Sequence, residues 1–288
     1  MKKTMLLLLT GLLLFTAVTA VSASKAIEQI AGGEINWKTG MITVTGEGAP
    51  PMKTINIAQA RAMAKRAAIA DAYRKLAEVV NGVRVDAQTV VENYASNNDE
   101  VRIKVQALIK GVAIGDLKYL KDGSVKIQVS LPLYGRESLG EIIYPAEVAE
   151  GSMIPNQGDE TGNDSLPAAT EISTGVTGLI VDVRDTEFMP AMSPKVVSDK
   201  GEIVYLGPED FDVNQVIEEG ISGFAETVDE AKADVERVGA NPLLIKAQGV
   251  KGAYKADAVI SSGDANKVLS DKALKEHLKK CRVVFVVS

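Results

Sequence analysis

The chain has 288 residues, of which 46% are hydrophobic, 24% are charged and 5% are aromatic. This composition is typical of a globular protein and excludes the disordered and collagen-like classes, and the length suits two domains better than one. The formal charge is −6, with one cysteine (Cys281) and one histidine (His277). A disulfide within the chain and a zinc site of cysteines and histidines are therefore excluded.

The N-terminal segment has the three parts of a secretory signal peptide. A basic start, Met1–Thr4, leads into an apolar run from Met5 to Val18, which is too short to cross a bilayer comfortably. Small residues at Val21-Ser22-Ala23 predict cleavage near Ala23, with Val18-Thr19-Ala20 as the alternative site. We expect residues 1–23 to be removed, rather than kept as an anchor. Because no cysteine lies near the cleavage region, we expect no lipid anchor on an N-terminal cysteine. Because no second hydrophobic stretch approaches membrane-spanning length, we expect no stable membrane insertion of the mature chain.

Charge is distributed unevenly between the two halves of the mature chain. Residues 24–150 carry 16 basic and 15 acidic side chains, whereas residues 151–288 carry 14 and 23, a net charge of −9. Affinity for nucleic acid comes mainly from basic side chains that neutralise phosphates. The acidic second half therefore argues against nucleic acid as a partner.

Residues 151–173, GSMIPNQGDETGNDSLPAATEIS, interrupt all apolar periodicity. Glycine, proline and small polar residues cannot bury enough apolar surface to offset the entropy of ordering the chain. We interpret this segment as a flexible linker between a domain at 24–150 and a second domain at 174–288. The alternative is a long surface loop within one domain.

The first domain shows the pattern of an α+β fold. An alanine-rich helix over 57–80, capped by Asn56 or Thr54, has an apolar stripe that begins at Ala58 and Ala62 and should lie close against a sheet. Residues 83–94 could form a strand or an extended cover. The remaining predicted elements are a hairpin of 34–37 and 41–45, a helix over 99–111, and a hairpin of 113–120 and 125–133 around an Asp-Gly turn. The sequence therefore predicts helices against one face of a mostly antiparallel sheet.

Two segments of this domain resemble a known family. ARAMAKRAAIADAYRKLAEVVNGVRV is similar to the signature of the bacterial Lpp-twenty lipoprotein family, and IKGVAIGDLKYLKDGSVKIQVSLPL is similar to that family's closing hairpin. The N-terminal domain of flagellar assembly protein T shares this arrangement. The resemblance covers residues 55–133 and implies a periplasmic role at the cell envelope or in motility, without catalytic residues. The acylated cysteine of the lipoproteins is missing here.

The second domain is predicted to be α/β. Nearly continuous apolar runs indicate central strands that are covered on both faces. The predicted strands are 177–183, 195–197, 202–206, 243–247, 258–260 and 282–287, and the predicted helices are 213–219, 228–238 and 265–280.

Carboxylates follow the strand at 177–183, where α/β folds often place functional groups. Asp182, Asp185 and Glu187 could bind a hard cation together with Asp199 or Asp212, although their spacing matches no established metal loop. The competing interpretation is a solvated strand end. The run from Glu209 to Asp212 is interpreted as the N-terminal charge of the next helix.

The other reactive residue types also have structural interpretations. His277 is expected to be a cation near a helix C-terminus, and Cys281 is expected to be a buried thiol, with pairing to another chain as the alternative. Trp37 is expected to pack in a core or on a hairpin rather than to bind a ligand. The segment Gly46–Pro50 lacks the spacing of a phosphate-binding loop and predicts a bend. No Ser/His/Asp set emerges.

These observations predict a non-enzymatic exported envelope protein that makes protein–protein contacts, in a flagellar motor ring or at the outer membrane. We expect no catalytic residues, no metal site and no cofactor. The expected partners are envelope or flagellar proteins, or a second copy of the chain. The alternative is a periplasmic module that binds a small ligand or a cation through the acidic second domain.

Overall fold

The computed structural model describes residues 25–53, 56–149, 175–206 and 212–288. The predicted signal segment, 1–23, and the predicted linker, 151–173, lie outside the described residues. Residues 25–149 form an N-terminal lobe and residues 175–288 form a C-terminal lobe, each with its own sheets. No helix among the described residues combines the length and the apolar character that a membrane crossing requires.

The N-terminal lobe is built on a five-stranded antiparallel sheet in the order β1-β2-β3-β5-β4. Its strands are β1 (Ile27–Ile30), β2 (Gly33–Asn36), β3 (Met41–Gly48), β4 (Leu117–Tyr119) and β5 (Val125–Pro132). Its helices are α1 (Ile57–Gly82), α2 (Val91–Asn97), α3 (Asp99–Gly111) and α4 (Gly140–Ala149). The predicted antiparallel sheet with helices is therefore confirmed.

Helix α1 begins at the predicted cap, since the Asn56 side chain accepts a hydrogen bond from the amide of Ala58 at 2.8 Å. The alternative cap, Thr54, lies outside the described residues. The predicted apolar stripe is wrong at its start, because Ala58 and Ala62 are exposed. The helix begins beyond the end of the sheet, and its buried residues are Ala64, Ala68, Ala72, Leu76, Val79 and Val80.

Close packing of α1 on β3 explains the glycines at 46 and 48. A Cβ atom added to Gly46 would lie 2.2 Å from the carbonyl oxygen of Ala68, and one added to Gly48 would lie 2.1 Å from that of Ala64. Only glycine fits at such a distance between a strand and a helix backbone. The predicted close approach of the alanine face is therefore confirmed, and the two glycines belong to strand β3 rather than to a bend.

The rest of the N-terminal lobe departs from the prediction in three segments, because β1 and α4 were not predicted and residues 83–94 differ from the expected conformation. Residues 83–94 were predicted to be extended, but they form only an isolated bridge between Arg84 and Val90 before α2 begins at Val91. That short helix buries Val91, Tyr94 and Ala95, so packing rather than helix propensity stabilises it. The predicted helix at 99–111 and both predicted hairpins are confirmed.

The C-terminal lobe has two four-stranded sheets. One is fully parallel, in the order β10-β6-β13-β9, and the other is mixed, in the order β11-β12-β7-β8. The strands are β6 (Gly178–Asp182), β7 (Val196–Ser198), β8 (Ile203–Tyr205), β9 (Gly223–Ala225), β10 (Pro242–Lys246), β11 (Gly249–Lys251), β12 (Asp257–Ile260) and β13 (Val283–Val286). The helices are α5 (Val213–Glu219), α6 (Val228–Ala233), α7 (Val235–Val238), α8 (Ser262–Ser270) and α9 (Lys272–Leu278).

Two hydrophobic runs of this lobe are buried as predicted, whereas the run at 243–247 forms an edge strand, β10, in which Leu244 is 43% exposed. β13 is buried along its whole length, and β6 is buried in all but its last residue, because both strands lie in the centre of the parallel sheet. Each of the two longer predicted helices is divided in two. Asp234 interrupts the first and Asp271 interrupts the second, and the side chain of each caps the helix that follows it.

The two lobes share one hydrophobic core. Trp37 of the N-terminal lobe packs edge-on against Phe224, with 5.9 Å between the ring centroids. Phe285 stacks on both Phe224 and Phe188, at centroid distances of 6.0 Å and 5.0 Å. The Tyr144 hydroxyl also donates to the carbonyl of Met192 across the interface at 3.0 Å. The described parts of the lobes therefore pack directly against each other.

A buried ion pair supports this interface. The Arg84 guanidinium forms a bidentate ion pair with the Glu28 carboxylate. Its Nε donates to the carbonyl of Pro190 in the other lobe at 2.6 Å. Trp37 lies under the guanidinium, 5.5 Å from its centre, and donates its indole N–H to Glu28 at 3.2 Å. The Arg84 guanidinium therefore contacts the carboxylate of Glu28, the ring of Trp37 and a backbone carbonyl of the C-terminal lobe.

Candidate functional site

A cleft of about 700 Å³ lies between the lobes. We call it the interlobe cleft. The N-terminal lobe contributes the turn between β2 and β3 (Trp37–Met41) and the end of β5, and the C-terminal lobe contributes β9, α6, α7 and the end of α5. Its size is within the range of ligand sites, and such sites occur preferentially at domain interfaces.

Five carboxylates of the C-terminal lobe line the cleft, against two cationic side chains. The five are Glu218, Glu219, Glu230, Asp234 and Glu236. One cation, Lys38, comes from the opposite lobe and forms an ion pair with Glu230. This contact lowers the pKa of Glu230 and raises that of Lys38. The second cation, Arg237, donates to the backbone carbonyls of three residues: Glu219, Gly220 and Cys281.

Four carboxylates of the cleft therefore remain without a cation. Within the described ranges, Glu218, Glu219, Asp234 and Glu236 have no ion-pair partner. Asp234 accepts a hydrogen bond from the backbone amide of Arg237 at 3.2 Å. The five carboxylates are spread along the rim, and the described residues hold no group of three acidic, histidine or cysteine side chains close enough for a metal ion. The cleft is consequently a surface of negative potential.

The floor of the cleft contains a buried hydroxyl group that lacks a partner. Ser222 immediately precedes β9 and is only 2% exposed, and its Oγ has no hydrogen-bond partner among the described residues. A buried polar atom without a hydrogen bond lowers stability and calls for an explanation. A ligand group that bonds to Oγ would supply the missing contact.

Tyr134 marks where the lobes meet at one end of the cleft. Its ring lies between two glycines, so that a Cβ atom on either Gly40 or Gly220 would come within 2.7 Å of it. Both glycines have positive φ, +63° and +72°, which L-residues with side chains rarely adopt. Burial raises the pKa of Tyr134 to about 12. The tyrosine is therefore a neutral packing group at the joint between the lobes.

The structure separates the carboxylates that the sequence grouped at the end of β6. Asp182 pairs with Arg184, Asp185 with Lys246 and Glu187 with Lys255, each at 2.6–2.7 Å. The hydrogen bonds from Arg184 lower the pKa of Asp182. Of the two additional candidates, Asp199 accepts from Ser262, and Asp212 caps α5. Glu209 and Asp210 lie outside the described residues. This strand end is thus a series of separate ion pairs.

Trp37 and Cys281 occupy the buried positions that the sequence predicts. Trp37 is 1% exposed and packs on Phe224. Cys281 is also 1% exposed, and burial raises the pKa of its thiol to about 11. The thiol is therefore protonated near neutral pH and behaves as a small hydrophobic group.

His277 lies in the last turn of α9, as predicted, but its expected positive charge is wrong. Burial lowers the pKa of the imidazole, and the nearby cations Arg282 and Lys280 lower it further. Its Nδ1 is buried and has no hydrogen-bond partner among the described residues. The neutral imidazole is consequently the favoured form near pH 7.

We expect the imidazole of His277 to titrate below pH 6.5 in the folded protein and near 6.5 after unfolding in urea. Because the folded state binds this proton less readily, the contribution of His277 to stability falls as the pH decreases below about 6.5. Proton NMR resolves the titration directly, since the chain has one histidine. A folded-state midpoint at or above 6.5 would contradict the assigned environment.

The acidic residues of the cleft were not singled out in the sequence. The only signal is the overall charge of −9 in residues 151–288, which gives the sign of the potential but not its place. Lys38 and Thr39 lie in a turn that is almost 200 residues from Glu230 in sequence. They reach the cleft only through tertiary packing, which no local sequence pattern predicts.

The C-terminal lobe is similar to a known protein domain. Residues 178–288 match a protein-family model described as Treponema pallidum Tp0624, second domain. No curated protein matches the chain. The C-terminal lobe, from β6 onward, is therefore similar to a domain that is recognised as a separate unit in that protein.

Proposed function

We propose that the chain is a non-enzymatic, exported protein of the cell envelope that binds a partner protein in the interlobe cleft. The observation that carries this proposal is the cleft itself. Both lobes build it, four of its carboxylates have no cation, and its floor contains a buried hydroxyl group without a hydrogen bond to the described residues. Polar groups left in this state at a concave surface are suited to a ligand that completes their contacts.

The N-terminal lobe supports a place in the envelope. Its helix α1, which ends at Gly82, and the closing pair β4–β5 follow the order that the resemblance to the Lpp-twenty family implies over residues 55–133. The proposal accordingly includes a periplasmic location, removal of the signal peptide near Ala23, no lipid anchor, and partners in a flagellar motor ring or at the outer membrane. It also includes a flexible linker at residues 151–173.

A second candidate function is a periplasmic module for a small ligand or a cation. The observation in its favour is that every carboxylate of the cleft comes from the acidic C-terminal lobe. Under this alternative, a small molecule rather than a protein occupies the cleft. It predicts that a small molecule or an inorganic ion copurifies with the mature chain.

Crosslinking in intact cells, with partners identified by mass spectrometry, tests the proposal. Thr39 is exposed on the N-terminal rim of the cleft, and the variant Thr39→Trp fills that space without altering a charge. We expect this variant to lose an envelope partner that the wild-type chain recovers.

The matched control is Thr45→Trp, on an exposed position of β3 outside the cleft. It should recover the same partner as the wild type. Equal recovery by the wild type and both variants would contradict binding in the cleft. Recovery of no protein, together with a copurifying small molecule, would favour the second candidate.

A further inference from the structure

We infer that the segment held in the interlobe cleft is an extended, positively charged stretch of the partner that carries lysine or arginine side chains. This inference rests on the proposed function, and it names the chemistry that the cleft recognises. Four features carry it: the unpaired carboxylates, the buried hydroxyl group, the edge of strand β9, and the ion pair that crosses the cleft.

The charges of the cleft are not balanced within the chain. Glu230 is neutralised by Lys38, and the Arg237 guanidinium is occupied by backbone carbonyls. Glu218, Glu219 and Glu236 therefore present negative charge to whatever enters. Ammonium and guanidinium groups form the strongest hydrogen bonds with carboxylates, and the negative potential also increases the rate at which a cation arrives.

Ser222 gives an independent indication of a ligand. Its Oγ is buried at the floor of the cleft and lacks a hydrogen bond, although its side chain is only 2% exposed. A lysine ammonium offers three donors and no acceptor, so one donor can bond to Oγ while the others reach carboxylates. Because a serine hydroxyl can also donate, Ser222 indicates a polar ligand, and the surrounding carboxylates are what select a cation.

The shape of the site favours an extended segment over a compact molecule. β9 is an edge strand of the parallel sheet, and all three of its residues, Gly223–Ala225, line the cleft. The Ala225 carbonyl accepts from Val287, on the β13 side, so the second edge of β9 faces the cleft. An extended chain can add to such an edge through main-chain hydrogen bonds, with its side chains directed into neighbouring pockets.

The ion pair between Lys38 and Glu230 joins the two rims of the cleft. Lys38 therefore competes with an incoming cation for Glu230 and adds a positive charge that repels it. Removing this lysine should strengthen binding of a cation, whereas removing a carboxylate should weaken it. The two substitutions have opposite expected signs, which a general loss of folding cannot reproduce.

The test uses the mature chain and the fluorescence of its single tryptophan, Trp37, which lines the cleft. The probe is an acetylated peptide of alternating lysine and glycine, titrated at low ionic strength beside a matched peptide of glutamate and glycine. We expect saturable quenching or shifting of the emission by the lysine peptide only. Raising the salt concentration should weaken binding, because ions screen exposed charges.

Four variants define the site. Glu236→Gln and Ser222→Ala should each weaken binding of the lysine peptide, by about tenfold where a charge-assisted hydrogen bond is lost. Lys38→Gln should strengthen binding of the same peptide. Glu92→Gln, an exposed carboxylate on α2 outside the cleft, should leave it unchanged.

Equal binding of the lysine and glutamate peptides, or affinities that none of the cleft variants alters, would overturn the inference. If spermidine binds as tightly as the lysine peptide, the cleft binds a small cation and not an extended segment of a protein. A different result separates the proposed function from this inference. If Thr39→Trp still loses its partner in cells while the lysine peptide does not bind, the cleft binds a protein of different chemistry.

Discussion

Replacing Arg84 with methionine is expected to lower the free energy of unfolding by about 3–5 kcal/mol. The substitution keeps much of the apolar side chain but removes the guanidinium. The largely buried carboxylate of Glu28 is then left without its cation, and the Pro190 carbonyl is left without its donor. It also removes the cation from the face of Trp37. Urea unfolding, followed by the fluorescence of Trp37, measures the change.

The control for this prediction is Arg74→Met. Arg74 forms ion pairs with Asp71 and Glu78 on the exposed surface of α1, where such pairs contribute about 0–1 kcal/mol. The double variant Arg84→Met/Glu28→Gln should recover part of the loss, since it removes the unpaired charge. An effect of Arg84→Met no larger than that of Arg74→Met would contradict a structural role for this ion pair at the interface between the lobes.

Gly48→Ala is expected to lower the free energy of unfolding by about 3 kcal/mol, at the upper end of the usual effects of overpacking. The added Cβ would lie 2.1 Å from the carbonyl oxygen of Ala64 and 2.4 Å from the amide nitrogen of Ala68. Both atoms belong to the backbone of α1, so a side-chain rotation cannot relieve the contact. The helix must move away from β3, which loosens the core of the N-terminal lobe.

Gly249→Ala is the matched control, because Gly249 lies in β11 and a Cβ atom there meets nothing within 4 Å. In open space, replacing glycine with alanine is neutral or stabilises by up to about 1 kcal/mol, through the lower entropy of the unfolded chain. Similar urea midpoints for the two variants would contradict the close contact between β3 and α1.

Local chemistry explains why many elements could be predicted. The Asn56 cap, the alanine face of α1 and the alternation of β5 depend on residues close in sequence, and the structure confirms them. Helix α4 was missed because Pro145 lies inside it and removes a backbone donor. Its burial against the other lobe, including a hydrogen bond from Ser193 to Glu147 at 2.8 Å, stabilises it instead.

The candidate site could not be predicted because it depends on contacts between distant segments. The sequence places Asp182 and Glu187 near each other, but Arg184, two residues from Asp182, and Lys255, from a distant segment, neutralise them as separate pairs. Conversely, Lys38 and Glu230 are far apart in the chain and meet only because β2 and β3 pack against the C-terminal lobe. The composition of residues 151–288 predicts that this half of the chain is negatively charged. Only the packing of the two lobes places several of those carboxylates together in the interlobe cleft.

The most direct test of binding in the interlobe cleft is site-specific photocrosslinking in living cells. A benzophenone amino acid at Thr39, on the rim of the cleft, is compared with the same group at Thr45, on the exposed face of β3. Binding in the cleft predicts that the group at Thr39 captures one defined envelope protein and that the group at Thr45 does not. Capture of that protein from Thr45 alone, or from neither position, would contradict it.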